Sequence, residues 1–300
     1  MALCGPCFPG RRRTVTNDHS WTELRSWDDV SSEPDSKDVA FQPPYVEPPR
    51  LAVGLSWLDL DHQTDISVVA KAEDVSDDHF TATIAAGPGS RVNSAACSWL
   101  QASASESEIK MGEWDVASAW ANGKPSSTKT STSIRFDERF EAGEAPTVVA
   151  WFSGLSLGKD SAWRVKTYVT EASAFKFKLH IEASPDTDLR GAKVAWVAFP
   201  AGKQGITGGT FCTDDIPGAE NAGEVDFSGA GFQAAPGVML AISGLDFECG
   251  HNLRLRVSHS ALSKDSMTWH LDSWLDSAFN TATGAYVAIC APNADDEWNS

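Results

Sequence analysis

The segment "FKFKLHIE" alternates strictly: Phe175, Phe177, Leu179 and Ile181 point one way, and Lys176, Lys178, His180 and Glu182 the other. A period of two is the mark of a β-strand with one buried and one wet face. The same pattern returns in "FTATIA" (80–85) and "MTWHLD" (267–272), and longer apolar strands are read in "LAVGLSWL", "DISVVAKA" and "AACSWLQA". With a paler strand around Phe41, each such group holds five or six strands. Alternation of this kind predicts antiparallel sheets, wet on one side and packed against each other as a sandwich. No segment carries the 3.6-residue period over more than a turn or two. The fold class expected is therefore all-β.

The pattern occurs three times. "VAFQPPYVEPPRLAVGLSWLDL", "IRFDERFEAGEAPTVVAWFSGLSL" and "VDFSGAGFQAAPGVMLAISGLDF" each run from a Phe through a Pro-containing turn to an apolar strand ending in Trp-Leu or Gly-Leu. Phe41, Phe136 and Phe227 are 95 and 91 positions apart. Leu58, Leu155 and Leu245 step by 97 and 90, as do Trp99, Trp196 and Tyr286. A unit of about 90 residues is long enough to bury a core. The chain thus divides into a tail (1–18, expected to be disordered), repeats at 19–103, 113–200 and 209–291, and an acidic tail (292–300). The linkers "SASESEIKMGE" and "PAGKQGITGG" are short, which keeps neighbouring repeats close. Repetition of one module favours binding over a single active site.

Charge narrows the partners. The net charge of −17 opposes nucleic acid and anionic membranes, both of which need clustered Lys and Arg. The one basic run is Arg11 to Arg13, in the tail. No apolar run reaches the 18 residues of a membrane span, so no membrane insertion is expected. The first twenty residues lack the apolar stretch of a secretory signal, and no Asn-x-Ser/Thr acceptor occurs. The expected location is cytoplasmic, or outside the cell by a non-classical route. Six cysteines in 300 residues do not make a disulfide scaffold. Cys97, Cys249 and Cys290 read as reduced structural thiols. Cys4-Gly-Pro-Cys7 has redox spacing but no second pair and no strand-to-helix context. The seven His are scattered, so neither a metal nor another cofactor is expected. "GLSLG" (154–158) spells a nucleophile elbow but bridges two strands, which the elbow does not. No catalytic residue is assigned.

Two arginines stand out. Period-two logic turns Trp163 and Val165 inward and Arg164 outward, and Leu253 and Leu255 inward with Arg254 outward. An Arg on the wet face of a strand is often only solvated. The third repeat also offers Glu220 in "IPGAEN" and Trp274 in "DSWLDS". A carboxylate and a guanidinium can bracket neighbouring sugar hydroxyls, one accepting and one donating hydrogen bonds. An aromatic face covers the apolar side of the ring.

The run "VDFSGAGFQAAPGVMLAISGLDFECGHNLRLRV", followed by "W-L-D-S" and a late aromatic, resembles an H-type lectin domain, the fold of snail agglutinins and of one discoidin domain. The resemblance extends over all three repeats. It implies a six-stranded antiparallel β-sandwich that assembles into trimers and binds galactose or N-acetylgalactosamine without catalysis. Three tandem copies then imply a pseudo-trimer within one chain, each copy offering both halves of a heterologous contact. Carried over by position, Gly218, Glu220 and Asn221 form the acidic loop, with Glu220 in place of an Asp. Arg254 is the family arginine and Trp274 the loop tryptophan. Leu275 and Asn280 stand where a His and a Tyr are found. In the second repeat Arg164 is kept, but Pro125 follows the "N-G-K" loop (122–124) in the acid's place, and Ser184 takes the Trp position. In the first repeat, Ser67 replaces the Arg, and Gly87 and Pro88 the Trp-His pair. The third repeat is thus expected to carry the working site and the first to be structural. The expected function is a lectin for terminal galactose or N-acetylgalactosamine glycans, multivalent through its repeats. The alternative is a non-catalytic protein-interaction scaffold of the same fold. Further self-association stays open.

Overall fold

The computed structural model describes residues 34–116, 128–141, 145–216 and 221–290, together with the backbone of 15–24. Its strands fall into three sets of six. Repeat 1 contributes β1 (Val15–Leu24), β2 (Asp35–Ala40), β3 (Arg50–Leu60), β4 (Ile66–Glu73), β5 (His79–Ala86) and β6 (Val92–Ala102). Repeat 2 contributes β7 (Lys110–Asp115), β8 (Lys129–Arg135), β9 (Thr147–Leu157), β10 (Trp163–Thr170), β11 (Lys176–Ala183) and β12 (Leu189–Phe199). Repeat 3 contributes β13 (Ile206–Cys212), β14 (Ala222–Asp226), β15 (Gly237–Phe247), β16 (Leu253–Ser260), β17 (Ser266–Asp272) and β18 (Phe279–Ile289). All pairings are antiparallel, so the fold is all-β as expected. Among the described residues, no helix is long and apolar enough to cross a membrane.

No six-stranded sheet lies within one repeat. The sheets run β1-β6-β3-β16-β17-β14, β2-β5-β4-β9-β12-β7 and β13-β18-β15-β10-β11-β8. Each repeat splits its strands three and three between two sheets, and each sheet joins two repeats. The junctions are the pairs β3–β16, β4–β9 and β10–β15. Every repeat is therefore hydrogen-bonded to both of the others. Strand assignment at the ends also differs from expectation. β1 begins at Val15, inside the supposed tail, because it pairs with β6. β7 and β13 begin inside the supposed linkers, where the buried Ile109 and Ile206 anchor the chain to the core. Residues 1–14 and the acidic tail lie outside the described residues.

The expected apolar phase is borne out. Phe177, Leu179 and Ile181 are buried, and so are Trp163, Val165, Leu253 and Leu255. Phe175 is the exception, 62 % exposed because it precedes β11 in a turn. A separate core gathers residues from all three repeats, including Ala52, Val149 and Met239, and Leu100, Val197 and Val287. The repeat spacing makes Gly54, Trp151 and Ala241 equivalent, and they meet here. A Cβ on Gly54 would lie 2.5 Å from Trp151 Cδ1 and 2.6 Å from the Ala241 Cβ. The fully buried Trp151 indole fills the space that the glycine leaves, and its Nε1 donates to the Val53 carbonyl at 3.0 Å. One large, one small and one absent side chain share the site. Three indoles would collide and three glycines would leave a void.

Two substitutions test this packing. Trp151→Ala should cost about 3–5 kcal/mol, the range for emptying a core aromatic site. Gly54→Ala should cost about 1–3 kcal/mol by overpacking. Because both act on one space, the double variant should be less destabilised than the sum, as chemical denaturation would show. Additive losses would mean that the two residues do not share the space.

Candidate functional site

The β3–β16 junction pairs Arg254 with Asp59 and Arg256 with Trp57 in register. Two-residue spacing puts the four side chains on one face, with repeat 3 giving the cations and repeat 1 the acid and the indole. A bulge at Asn93, between Val92 and Ser94 in the β3–β6 pairing, adds a third group. Asn93 donates its amide to Asp59 Oδ1 at 2.9 Å. Asn252 donates to the same oxygen at 3.4 Å, and Arg254 Nε stands 3.3 Å from it. The last contact is an ion pair without hydrogen-bond geometry, since the buried Nε has no hydrogen-bond acceptor. Arg254 Nη1 donates to Asp276 Oδ1 at 2.5 Å, and the Ser277 hydroxyl accepts from the Arg254 backbone N–H at 3.1 Å. The Arg254 side chain is 9 % exposed against 61 % for Asp276. Arg254 is thus buried, against the expectation of an arginine on the wet face, because Asp59 and Asp276 hold its guanidinium from two sides, and among the described residues Nη2 has no carboxylate.

Trp274 belongs to the turn that supplies Asp276. Its ring packs on Trp57 of repeat 1, 5.1 Å between centroids and tilted by 58°. Trp57 Nε1 donates to the Ser94 hydroxyl at 2.9 Å. The Arg256 guanidinium lies 5.5 Å from the Trp57 ring centre and donates to Asp272 at 2.8 Å. Asn221 donates to Asp272 at 3.3 Å, so it reaches this cluster through the acid. Leu275, next in sequence to Trp274, has φ +58° and is 83 % exposed. Gly218 and Glu220 lie outside the described residues.

Asn280 does not stand beside Arg254. It donates to Asp246 Oδ1 at 2.9 Å, the oxygen that also accepts from Arg164 Nε at 2.9 Å. The reason is the split of each repeat: Arg254 lies in the sheet shared with repeat 1, and Asn280 in the sheet shared with repeat 2. The β10–β15 junction is therefore a second version of the site, pairing Arg164 with Asp246 and placing Asn280 at the bulge. Here the arginine is consumed. Nη1 bonds Asp186 and Nη2 bonds Glu248, so carboxylates engage all three of its faces. The residue equivalent to Glu248 at the Arg254 site is Asp61, which accepts the Gln63 N–H at 2.9 Å and pairs with Arg91 at 3.6 Å. Turning that acid away leaves Arg254 less occupied than Arg164.

The β4–β9 junction is the third version. Ser67 faces Ser156 in register, and a Cβ on Gly87 would strike the Ser67 hydroxyl at 2.2 Å. Ser156, the serine of "GLSLG", is a strand residue in this pairing rather than a residue of a tight elbow. Arg190 occupies the bulge and pairs with Asp188 at 2.9 Å and Asp65 at 2.5 Å. The "N-G-K" loop of repeat 2 and Pro125 lie outside the described residues. Cys97, Cys212 and Cys249 are free thiols, with the buried Cys97 pushed up to about 12 by desolvation. Trp57, Asp59 and Asp276 were missed as site residues, although "SWLDLD" and "DSWLDS" display them.

Hydrogen bonds from Arg254 and then from His251 hold the Asp276 carboxyl below the usual carboxylate range. Its ion pair is therefore complete above the unfolded-state value of about 3.9 and is lost as pH falls through the lower folded value. Carboxyl NMR titration should place the Asp276 midpoint below about 3.9, and Arg254→Gln should raise it toward that value. A midpoint unmoved by the substitution would contradict the pairing.

The chain matches the H-type lectin domain in three regions, residues 36–100, 131–199 and 223–289, which together exceed half its length. No curated protein matches it. With three matched copies covering more than half of its length, the chain belongs to the H-type lectin domain family, whose members bind carbohydrate.

Proposed function

We propose that this protein is a lectin for terminal galactose or N-acetylgalactosamine, built as an intramolecular pseudo-trimer of β-sandwiches, with its principal site at the boundary of repeats 3 and 1. The cyclic sharing of sheets supports the pseudo-trimer, since each repeat uses one set of three strands toward each neighbour. One observation carries the site: Arg254, fixed by Asp59 and Asp276, keeps a guanidinium edge without a carboxylate beside the Trp57–Trp274 pair. Such an edge donates to sugar hydroxyls, the exposed Asp276 accepts from them, and an indole covers the C–H face. No step in this reading makes or breaks a covalent bond. Of the three boundaries, the Arg164 one spends its guanidinium on three acids, and the Ser67 one has no arginine on its strand. Multivalency is accordingly reduced to one strong site per chain.

Calorimetry with N-acetylgalactosamine, galactose and glucose should show saturable binding of the first two sugars, near one per chain. Arg254→Ala removes charge-assisted hydrogen bonds of about 1.5–3 kcal/mol each, so affinity should fall roughly 10- to 100-fold. Trp274→Ala leaves the buried ion pairs in place and should also lose affinity, which covers the case in which Arg254→Ala misfolds. Folded protein that binds none of these sugars would contradict the reading and favour the scaffold function.

A further inference from the structure

The outer face of repeat 2 differs in charge from the rest of the molecule. Strand register arranges it in rows across β10, β11 and β8. The first row is Lys166, Glu182 and Lys129; the second is Tyr168, His180 and Ser131; the third is Thr170, Lys178 and Ser133; Lys176 and Arg135 close the series. Their neighbours Val165, Phe177, Leu179 and Ile181 are buried, so these side chains face solvent. Five cations stand against one strand carboxylate, and the turn residue Glu171 adds a second, 3.6 Å from Lys178.

The other repeats control the comparison. The same face of repeat 1 carries Lys71 with Glu73 and Asp38, and that of repeat 3 carries Arg256 with Asp272, Glu224 and Asp226. One cation against two acids, and one against three, give negative faces, in keeping with the net charge of −17. A basic face on so acidic a chain is a local departure. It is also poorly neutralised: Lys129 pairs with Glu182 at 2.8 Å, but Arg135, Lys166 and Lys176 make no ion pair among the described residues. The Arg164 end is closed by its own three acids, so the basic face begins at Lys166.

The cations do not converge on one point, as a phosphate site requires. They are strung along the strands, with rows about 7 Å apart over roughly 20 Å. Between them lies an aromatic row, in which Tyr168 and His180 stack at 4.7 Å and 4°. Lys166 lies 5.8 Å from the Tyr168 ring centre. Burial and then the charge of Lys178 lower the His180 pKa, disfavouring the charged ring, and its Nε2 lies 2.7 Å from the Thr170 hydroxyl.

We propose that the outer face of β8, β10 and β11 binds an extended anionic polysaccharide, one bearing sulfate or carboxylate groups, at a site separate from Arg254. Spaced cations match a polymer with charges along its length, and the ring row offers a surface for sugar C–H groups. The choice of a glycan over other polyanions rests on the lectin reading.

The test is binding of the full chain to immobilised heparin across a salt series, with uncharged dextran as control. Heparin should bind at low salt and dextran should not. The log–log salt slope should be about three to five, one counterion for each engaged cation. Lys166→Glu/Lys178→Glu should weaken binding by at least about tenfold, the low end of steering by a charged surface, and Lys71→Glu on repeat 1 should not. N-acetylgalactosamine calorimetry on the same variants separates the two sites, and should be unchanged. Heparin binding that is absent, or indifferent to the double charge reversal in folded protein, overturns this proposal alone. Absence of N-acetylgalactosamine binding by the unsubstituted chain, with heparin binding intact, overturns the lectin site instead. An oligonucleotide bound as tightly as heparin overturns the choice of glycan. Self-association abolished by the double variant, without heparin binding, assigns the face to a second copy of the chain.

Discussion

One indole sets how closely the three repeats approach. Trp151 occupies a core lined by all three repeats, lying against Gly54 of the first and Ala241 of the third and donating to the Val53 carbonyl. The sequence positions are equivalent, but the side chains are Gly, Trp and Ala. Interior packing tolerates neither three large groups nor a large void there. Identical subunits would have to place the same side chain three times. A single chain can place three different ones, so this core is fitted to a particular order of repeats. The sheets depend on it, because strands β3, β9 and β15 carry both this core and the edges on which repeats join.

That joining explains the site chemistry. Each junction sets a residue of one repeat opposite a residue of the next, and a bulge adds a third group from the same neighbour. The outcome is Arg254–Asp59–Asn93 at one boundary, Arg164–Asp246–Asn280 at the second, and Ser67–Ser156–Arg190 at the third. One backbone arrangement thus carries three chemical states. In the first the arginine is positioned with an edge to spare, in the second it is saturated by acids, and in the third the guanidinium has moved to the bulge on the other strand. The same freedom lets the outer face of repeat 2 be basic where its counterparts are acidic.

What the sequence displayed was whatever depends on local alternation. Strand positions, buried phases, the threefold repeat and Arg254 all follow from period two and from spacing. What it hid depends on which strands pair across repeats. Asn280 and Arg254 are 26 positions apart in one repeat, yet they sit in different sheets. Asp59 is 195 positions from Arg254 and shares a junction with it. No local signal distinguishes an acid facing water from one facing the next repeat's arginine. Likewise, β7 and β13 begin in stretches that read as linkers because their Gly and Ser content is high, while the buried Ile109 just before β7 and Ile206 at the start of β13 decide the matter.

The central claim is that a sugar site is assembled between repeats 3 and 1 and not at the other two boundaries. A crystal structure of the complex with N-acetylgalactosamine tests it most directly. The account predicts one sugar per chain, against Arg254, Asp276 and the Trp57–Trp274 pair, with the Arg164 and Ser67 boundaries empty. Sugar bound at the Arg164 boundary, or equally at all three, would contradict it.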